Sequence, residues 1–308
     1  MARLAHDTVL VSGTGLFSGR SSSVRFAPAR PGAGWTVVRE DAGGGVRIGA
    51  LVTHVTADTS WSGLPAGVPI RNTTLLGADA AGRPVAAATV EHVLSALAGL
   101  GVWDAAIHLE GVECPILDGS ALGFVDALRG ALEDLGTDPS PVPILLTRTI
   151  EVRDEKTGAT ITGEPLGVGE SPSYTYDLDY GPESPLCPHR ASWDLSAGMY
   201  AREVAPARTF SLHHEVAFAR RVGLFAHASA GDLLVVGTDG LPIDNQWRFP
   251  DERSISTEPA RHKLLDLIGD LALLGRPLRA RVTASKSGHA LTHQFCRAVA
   301  AAGGARPH

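Results

Sequence analysis

In the last quarter of the chain, Leu264, Leu265, Leu267, Ile268, Leu271, Leu273 and Leu274 recur at helical spacing and predict a helix with a broad buried side. Pro259 suits its first turn and Gly275 its stop. His262 and Asp266 stand four residues apart on it, so their side chains share one stripe and can reach a single point; Asp270 follows one turn later. A helix with its polar side in water is the ordinary reading of any one His-x-x-x-Asp pair. Apolar neighbours on both sides of these residues argue against it here, because burying a charge without a partner is costly.

In the first half, Thr8 to Ser12 and Ser23 to Ala27 alternate as strands around a glycine-bearing turn, and Trp35 to Arg39 is a further strand. No helix follows Gly13-Thr-Gly15, which excludes a dinucleotide fingerprint. Residues 47 to 74 predict short strands broken by Pro and Gly. Thr89 to Leu100 predicts a helix capped by Thr89, followed by a strand at Ala105 to Leu109, a turn at Asp118-Gly119 and a second helix from Ser120 to about Leu135. Asp138-Pro-Ser-Pro-Val-Pro143 is stiff and reads as a linker. Beyond it come strands around Ile144 to Val152 and Ser173 to Tyr180, a helix at Leu212 to Arg221, and a strand at Asp232 to Val236. The His262 helix, a strand at Leu278 to Ala284 and a helix from about Gly288 to Ala301 complete the chain. Each half therefore ends in helix, strand, helix, and the expected fold is α+β with two similar domains, 1–137 and 138–308, from an old duplication. Glu91-His92 holds in the first half the place that His262 to Asp266 holds in the second. Two such domains facing each other bring both helices to a shared cleft, a usual place for a site.

Composition narrows the function classes. The chain has 308 residues and a net charge of -6, with no basic face to suggest nucleic acid. No apolar run is long enough to cross a bilayer and the first residues lack the apolar core of a secretion signal, so a cytoplasmic protein, expected as a monomer, is the reading. Cys114, Cys187 and Cys296 are odd in number and far apart, which points to reduced thiols and not to a disulfide framework or a zinc knuckle.

His92, His262 and Asp266 supply three ligands of the types a hydrolytic zinc site needs, leaving a fourth position for water. Glu91 points about 100° away from His92 around the helix and suits a general base. His289, at the start of the last helix, suits an acid that stabilises an oxyanion and protonates a leaving amine, with Asp270 holding its ring. Each residue alone has an ordinary explanation: a core histidine, a solvated aspartate, a surface histidine. Their arrangement across two matched halves shifts the balance.

The chain resembles the UDP-3-O-acyl-N-acetylglucosamine deacetylases, the zinc enzymes of lipid A synthesis. The resemblance rests on Thr89-Val-Glu-His-Val-Leu-Ser-Ala-Leu-Ala-Gly-Leu-Gly, Pro115-Ile-Leu-Asp-Gly-Ser-Ala, Ala207-Arg-Thr-Phe, Arg261-His-Lys-Leu-Leu-Asp-Leu-Ile-Gly-Asp-Leu and Lys286-Ser-Gly-His-Ala-Leu. It implies two similar domains, each a sheet packed with two helices and carrying a small insert, with one zinc per chain between them. It implies zinc ligands at His92, His262 and Asp266, a general base at Glu91, and the leaving-group histidine and its partner at His289 and Asp270. It also implies a threonine beside the scissile amide at Thr209. Substrate contacts are implied at Lys263 for the sugar, at Asp179 and Tyr180 for the uracil, at Lys286 for the diphosphate, and at Phe210 and Phe225. The implied partner is a UDP-sugar lipid precursor.

The departures from the family pattern are Phe17 in place of a histidine, Gly223-Leu-Phe225-Ala-His227-Ala-Ser229 where small residues are usual, and an inserted Arg253-Ser-Ile-Ser-Thr-Glu258. They leave the chemistry untouched and the acyl length open. Two other readings fit the same residues: a zinc amidohydrolase acting on a different acylated amino sugar, and a non-catalytic paralogue that binds such a ligand.

Overall fold

Alternating apolar residues build two five-stranded mixed sheets of the same design in the computed structural model, which describes residues 2–63, 68, 70–134, 141–186, 188–225, 227–249 and 256–304. In the first sheet the strands lie in the order Val11–Thr14, Ser21–Pro28, Ala105–Glu110, Trp35–Arg39, Val46–Gly49. In the second the order is Ile150–Asp154, Ala159–Glu164, Arg281–Ser285, Ser173–Leu178, His189–Trp193. All neighbours are antiparallel except the third and fourth strands of each row, which are parallel. A parallel pair needs a crossover. In the first half it contains α1 (Glu91–Gly99), and α2 (Leu122–Arg129) follows the returning strand. In the second half it contains the short α3 (Ala197–Met199), α4 (His213–Arg221) and α5 (Glu258–Leu271), and α6 (His289–Val299) follows.

The small inserts also sit in these crossovers. The first is a three-stranded sheet of Val55–Thr56, Thr74–Ala78 and Pro84–Ala88. The second pairs Phe210–Leu212 with Leu234–Val236 in parallel beside α4.

Helices α1 and α5 pack on each other at the centre of the molecule. Every residue of α1 is buried, as are twelve of α5, so both are covered nearly all round. One continuous apolar core, which includes Phe26, Leu94, Leu97 and Phe124 from the first half and Leu264, Leu267, Val282 and Phe295 from the second, joins the two sheets through them. Gly269 permits their close approach: a Cβ there would lie 2.1 Å from the Glu91 carbonyl oxygen.

Several elements differ from the sequence reading. Thr89 does not cap α1. It adopts a left-handed φ of 55°, and its hydroxyl donates to Glu113 Oε1 (2.9 Å), so the helix starts with no side-chain cap. Helix α2 ends at Arg129 and not near Leu135, because Leu132–Asp134 pairs with Ala2–Leu4 and satisfies its backbone there. The first strand begins at Val11, since Thr8 is engaged with Phe26, whose amide donates to its hydroxyl (3.1 Å). The strands Ala159–Glu164 and His189–Trp193 and the hairpin from Thr74 to Ala88 were not marked by the reading, although the first alternates buried and half-buried along its length. Residues 138–140 of the expected linker, the boundary between 137 and 138, Cys187, and residues 253–255 of the inserted segment lie outside the described residues. Cys114 and Cys296 are buried free thiols.

Candidate metal centre

Helix α1 places His92 and helix α5 places His262 and Asp266 on the shared face of the two halves. All three are buried, and their ligand atoms lie within 4.8 Å of one another. Nε2 of His262 is 3.4 Å and Nε2 of His92 is 3.7 Å from Asp266 Oδ1, too long for good hydrogen bonds. The two rings meet edge to face with centroids 5.1 Å apart. Donor atoms that converge without bonding one another fit a common centre roughly 2 Å from each.

Protonation supports the same conclusion. His262 Nδ1–H donates to the Ala207 carbonyl (3.1 Å), which leaves the Nε2 lone pair pointing into the site, the usual support of a ligating histidine. Burial, against the pull of Asp266, pushes the His262 pKa down to about 3, so the ring is neutral. Asp266 stays ionised: burial would raise its pKa, but the adjoining Lys263 ammonium holds it well below the ordinary carboxylate value. Nδ1 of His92 is buried with no hydrogen-bond partner. Two imidazoles and one carboxylate, with an orphaned nitrogen beside them, fit a divalent zinc-type ion.

Around this group the structure brings most of the expected residues together. Glu91 Oε2 accepts from the Thr73 amide (3.0 Å), while Oε1 lies 4.0 Å from His289 Nε2. Burial raises the Glu91 pKa, opposed by His289 and His92. His289 Nδ1–H donates to Asp270 Oδ2 (2.8 Å). Burial works against a charged imidazole at His289, yet ionised Asp270, with Asp266 and Glu91 behind it, outweighs burial and raises its pKa to about 9. A bound cation would pull that value back down. Asp270 itself is held well below the usual range, burial being overcome by His289 and His293.

The group opens onto a cavity of about 410 Å³ lined by Glu91, His92, Thr209, Phe210, Tyr180 and His289. Its apolar lining comes from Leu16, Phe17, Ile116, Leu224, Phe225 and Leu233, which pack as one cluster, and from Phe218. Phe17 and Phe225 touch there with ring centroids 5.8 Å apart, and Phe225 holds a left-handed φ of 56°. Phe210 stands edge to face over His262 (6.3 Å), with the Tyr180 ring 6.0 Å from it. Lys263 donates to Asp266 Oδ2 (2.6 Å) and borders both this cavity and a neighbouring groove of about 880 Å³. Lys286 lines that groove and pairs with Asp179 (2.9 Å) outside the cavity. His227 bonds the Gly15 carbonyl (3.0 Å) and does not face the metal group.

Two participants escaped the sequence reading, Thr73 and His293. His293 lies four residues beyond His289 on α6, a spacing that puts both on one face, and could have been found from it. Thr73 stands in Asn72-Thr-Thr-Leu before a strand, and no local pattern distinguishes it.

A family model described as LpxC: UDP-3-O-acyl N-acetylglycosamine deacetylase matches residues 3–301. Among curated proteins, the chain is similar to several named UDP-3-O-acyl-N-acetylglucosamine deacetylase. One from Myxococcus xanthus is 33% identical over 303 residues, covering 94% of this chain and 83% of the relative. One from a Nostoc species is 33% identical over 303 residues, covering 96% of each. One from Anaeromyxobacter dehalogenans is 36% identical over 304 residues, covering 97% of this chain and 87% of the relative.

Proposed function

The chain belongs to the LpxC family of UDP-3-O-acyl N-acetylglycosamine deacetylases, and on that premise we propose that it hydrolyses the acetamide of a UDP-3-O-acyl-N-acetylglucosamine in lipid A biosynthesis. The products are acetate and UDP-3-O-acyl-glucosamine. The observation that carries this reading is the convergence of His92, His262 and Asp266 at one buried point, with Glu91 and His289 bordering the same cavity.

One zinc per chain, held by His92, His262 and Asp266, would lower the pKa of a water and polarise the acetamide carbonyl. The protein's own groups manage the protons. Glu91, buried and tied through Oε2 to the Thr73 amide, accepts a proton from the attacking water as the new C–O bond forms. Thr209 donates its hydroxyl to the tetrahedral oxygen. The C–N bond then breaks, and the glucosamine nitrogen takes its proton from His289, held by Asp270, or from Glu91.

Substrate positioning follows the cavity lining. The apolar cluster around Phe17 and Phe225 suits an acyl chain, and Phe210 and Tyr180 border the same cavity as the metal group. Lys263 is assigned to the sugar, Asp179 and Tyr180 to the uracil, and Lys286 to the diphosphate. Phe225, a ring in contact with Phe17 in the cavity lining, narrows that passage and favours a shorter acyl group. We take the halves as 1–137 and 138–308, and the working unit as one chain, because a single chain supplies both sides of the metal group. Among the described residues no helix is long and apolar enough to cross a membrane, and the reaction is assigned to the cytoplasm on the family resemblance.

Glu91→Gln tests the chemistry. It should leave bound zinc near stoichiometric while turnover of a UDP-3-O-acyl-N-acetylglucosamine falls by about two orders of magnitude or more. Undiminished turnover removes Glu91 from the role of base.

A further inference from the structure

Thr73 is fully buried in the first half's insert, just before the strand Thr74–Ala78, yet it reaches three helices. Its amide donates to Glu91 Oε2 on α1 (3.0 Å). Its hydroxyl lies 2.5 Å from Asp270 Oδ1 on α5, 3.0 Å from His293 Nε2 on α6 and 3.4 Å from His289 Nδ1. A hydroxyl has one proton to give and two lone pairs to offer. An ionised carboxylate can only accept, so the proton goes to Asp270 Oδ1 and His293 must present Nε2–H to the hydroxyl oxygen.

His289 Nδ1–H is then committed to the nearer Asp270 Oδ2 (2.8 Å). Both oxygens of Asp270 are thereby engaged from different directions, and its carboxylate cannot turn without breaking a charge-assisted bond. On the other side, the Thr73 amide fixes one oxygen of Glu91 and leaves Oε1 facing His289 Nε2 across 4.0 Å.

We propose that Thr73, backed by His293, is a positioning residue of the deacetylase: one residue holds the Glu91 carboxylate by its amide and the Asp270–His289 pair by its hydroxyl, setting the two proton-carrying groups in register across the cleft. This rests on the function proposed above. Thr73 lines neither the cavity nor the neighbouring groove and acts through Glu91, Asp270 and the histidines. A hydroxyl that served packing alone would be replaced by the isosteric Val at the expense of stability, with kcat left as it was.

The test compares zinc-loaded Thr73→Val and Thr73→Ser. For Thr73→Val, kcat should fall roughly ten- to a hundred-fold, the range covered by losing one hydrogen bond to a charged group, with KM within about twofold and zinc stoichiometric. Thr73→Ser should restore kcat to within about threefold, because it returns the hydroxyl and not the methyl. A Thr73→Val protein with unchanged kcat, a loss carried by KM, or a Ser variant as impaired as Val overturns the proposal. Should Thr73→Val fail to fold, His293→Leu and His293→Gln decide: lowered kcat in the first with recovery in the second supports it, and wild-type kcat in both overturns it.

A second readout needs no turnover. In ¹⁵N-histidine NMR spectra of the zinc-loaded protein, the His289 Nδ1–H resonance should move in Thr73→Val and return in Thr73→Ser; a resonance that stays fixed in Val overturns the link. A protein with this ring response but no deacetylase activity would refute the proposed function and leave the positioning role of Thr73 standing.

Discussion

Replacing Gly269 by Ala adds one carbon at the contact between the two helices that carry the metal group. That Cβ would lie 2.1 Å from the Glu91 carbonyl oxygen and 2.8 Å from the carbonyl carbon. Both are backbone atoms at the start of α1, so no side-chain rotation relieves the clash. Restoring an acceptable contact requires α1 and α5 to part by about 1 Å in an interior packed like a crystal. Overpacking of this kind costs about 1–3 kcal/mol. For a chain of this size, that lowers Tm by roughly 2–10 °C.

The larger consequence is at the metal group, because His92 rides on α1 and His262 and Asp266 on α5. Ligand distances tolerate roughly 0.2 Å, so a displacement of about 1 Å between the helices is outside that range. Zinc affinity should fall by roughly ten- to a hundred-fold or more, as it does when a ligand loses its support. The assay is zinc competition against a chromophoric chelator, alongside thermal melts. Gly130→Ala is the control, since φ at Gly130 is -66° and the nearest atom to its Cβ is 3.8 Å away. A Gly269→Ala protein with wild-type zinc affinity and an unchanged melting temperature would refute the idea that close approach of α1 and α5 sets the metal geometry.

Further outcomes follow from single contacts. Glu258, fully buried, accepts from the Arg208 guanidinium (2.8 and 3.2 Å) and from the amides of Arg208 and Arg248. Glu258→Gln should destabilise the protein by about 3 kcal/mol, read as a lowered urea midpoint, and an unchanged midpoint would refute the pairing as a structural anchor. Removing zinc with a chelator should reverse a stabilisation of about 2.7 kcal/mol when free zinc stands at roughly a hundred times its Kd. His262→Ala should abolish that zinc-dependent rise in Tm; a wild-type rise in the variant would exclude His262 as a ligand. Phe225 and Leu233 line both the 410 Å³ cavity and a separate one of about 240 Å³ beyond it. Phe225→Ala should therefore shift the kcat/KM ratio toward longer acyl chains, and an unaltered ratio would show that Phe225 does not limit the passage.

The sequence by itself determined what short spacing controls. A four-residue step on a helix puts His262 and Asp266 on one stripe wherever that helix sits, and the one-residue step from Glu91 to His92 turns their side chains about 100° apart at the start of α1. The repeated order of elements likewise foretold two sheets of one design, because a parallel pair with its crossover helix is a local unit of chain. Helix ends and the Thr89 cap were misread because the competing partners, Ala2 for Asp134 and Glu113 for Thr89, lie far away in the chain. Only the tertiary structure decided how the halves meet: Gly269 letting two buried helices touch, and Thr73 meeting Asp270 across 197 positions and His293 across 220. Such contacts leave no periodicity, since a threonine hydroxyl that bridges three helices and one that faces water are the same letter until the chain has closed around it.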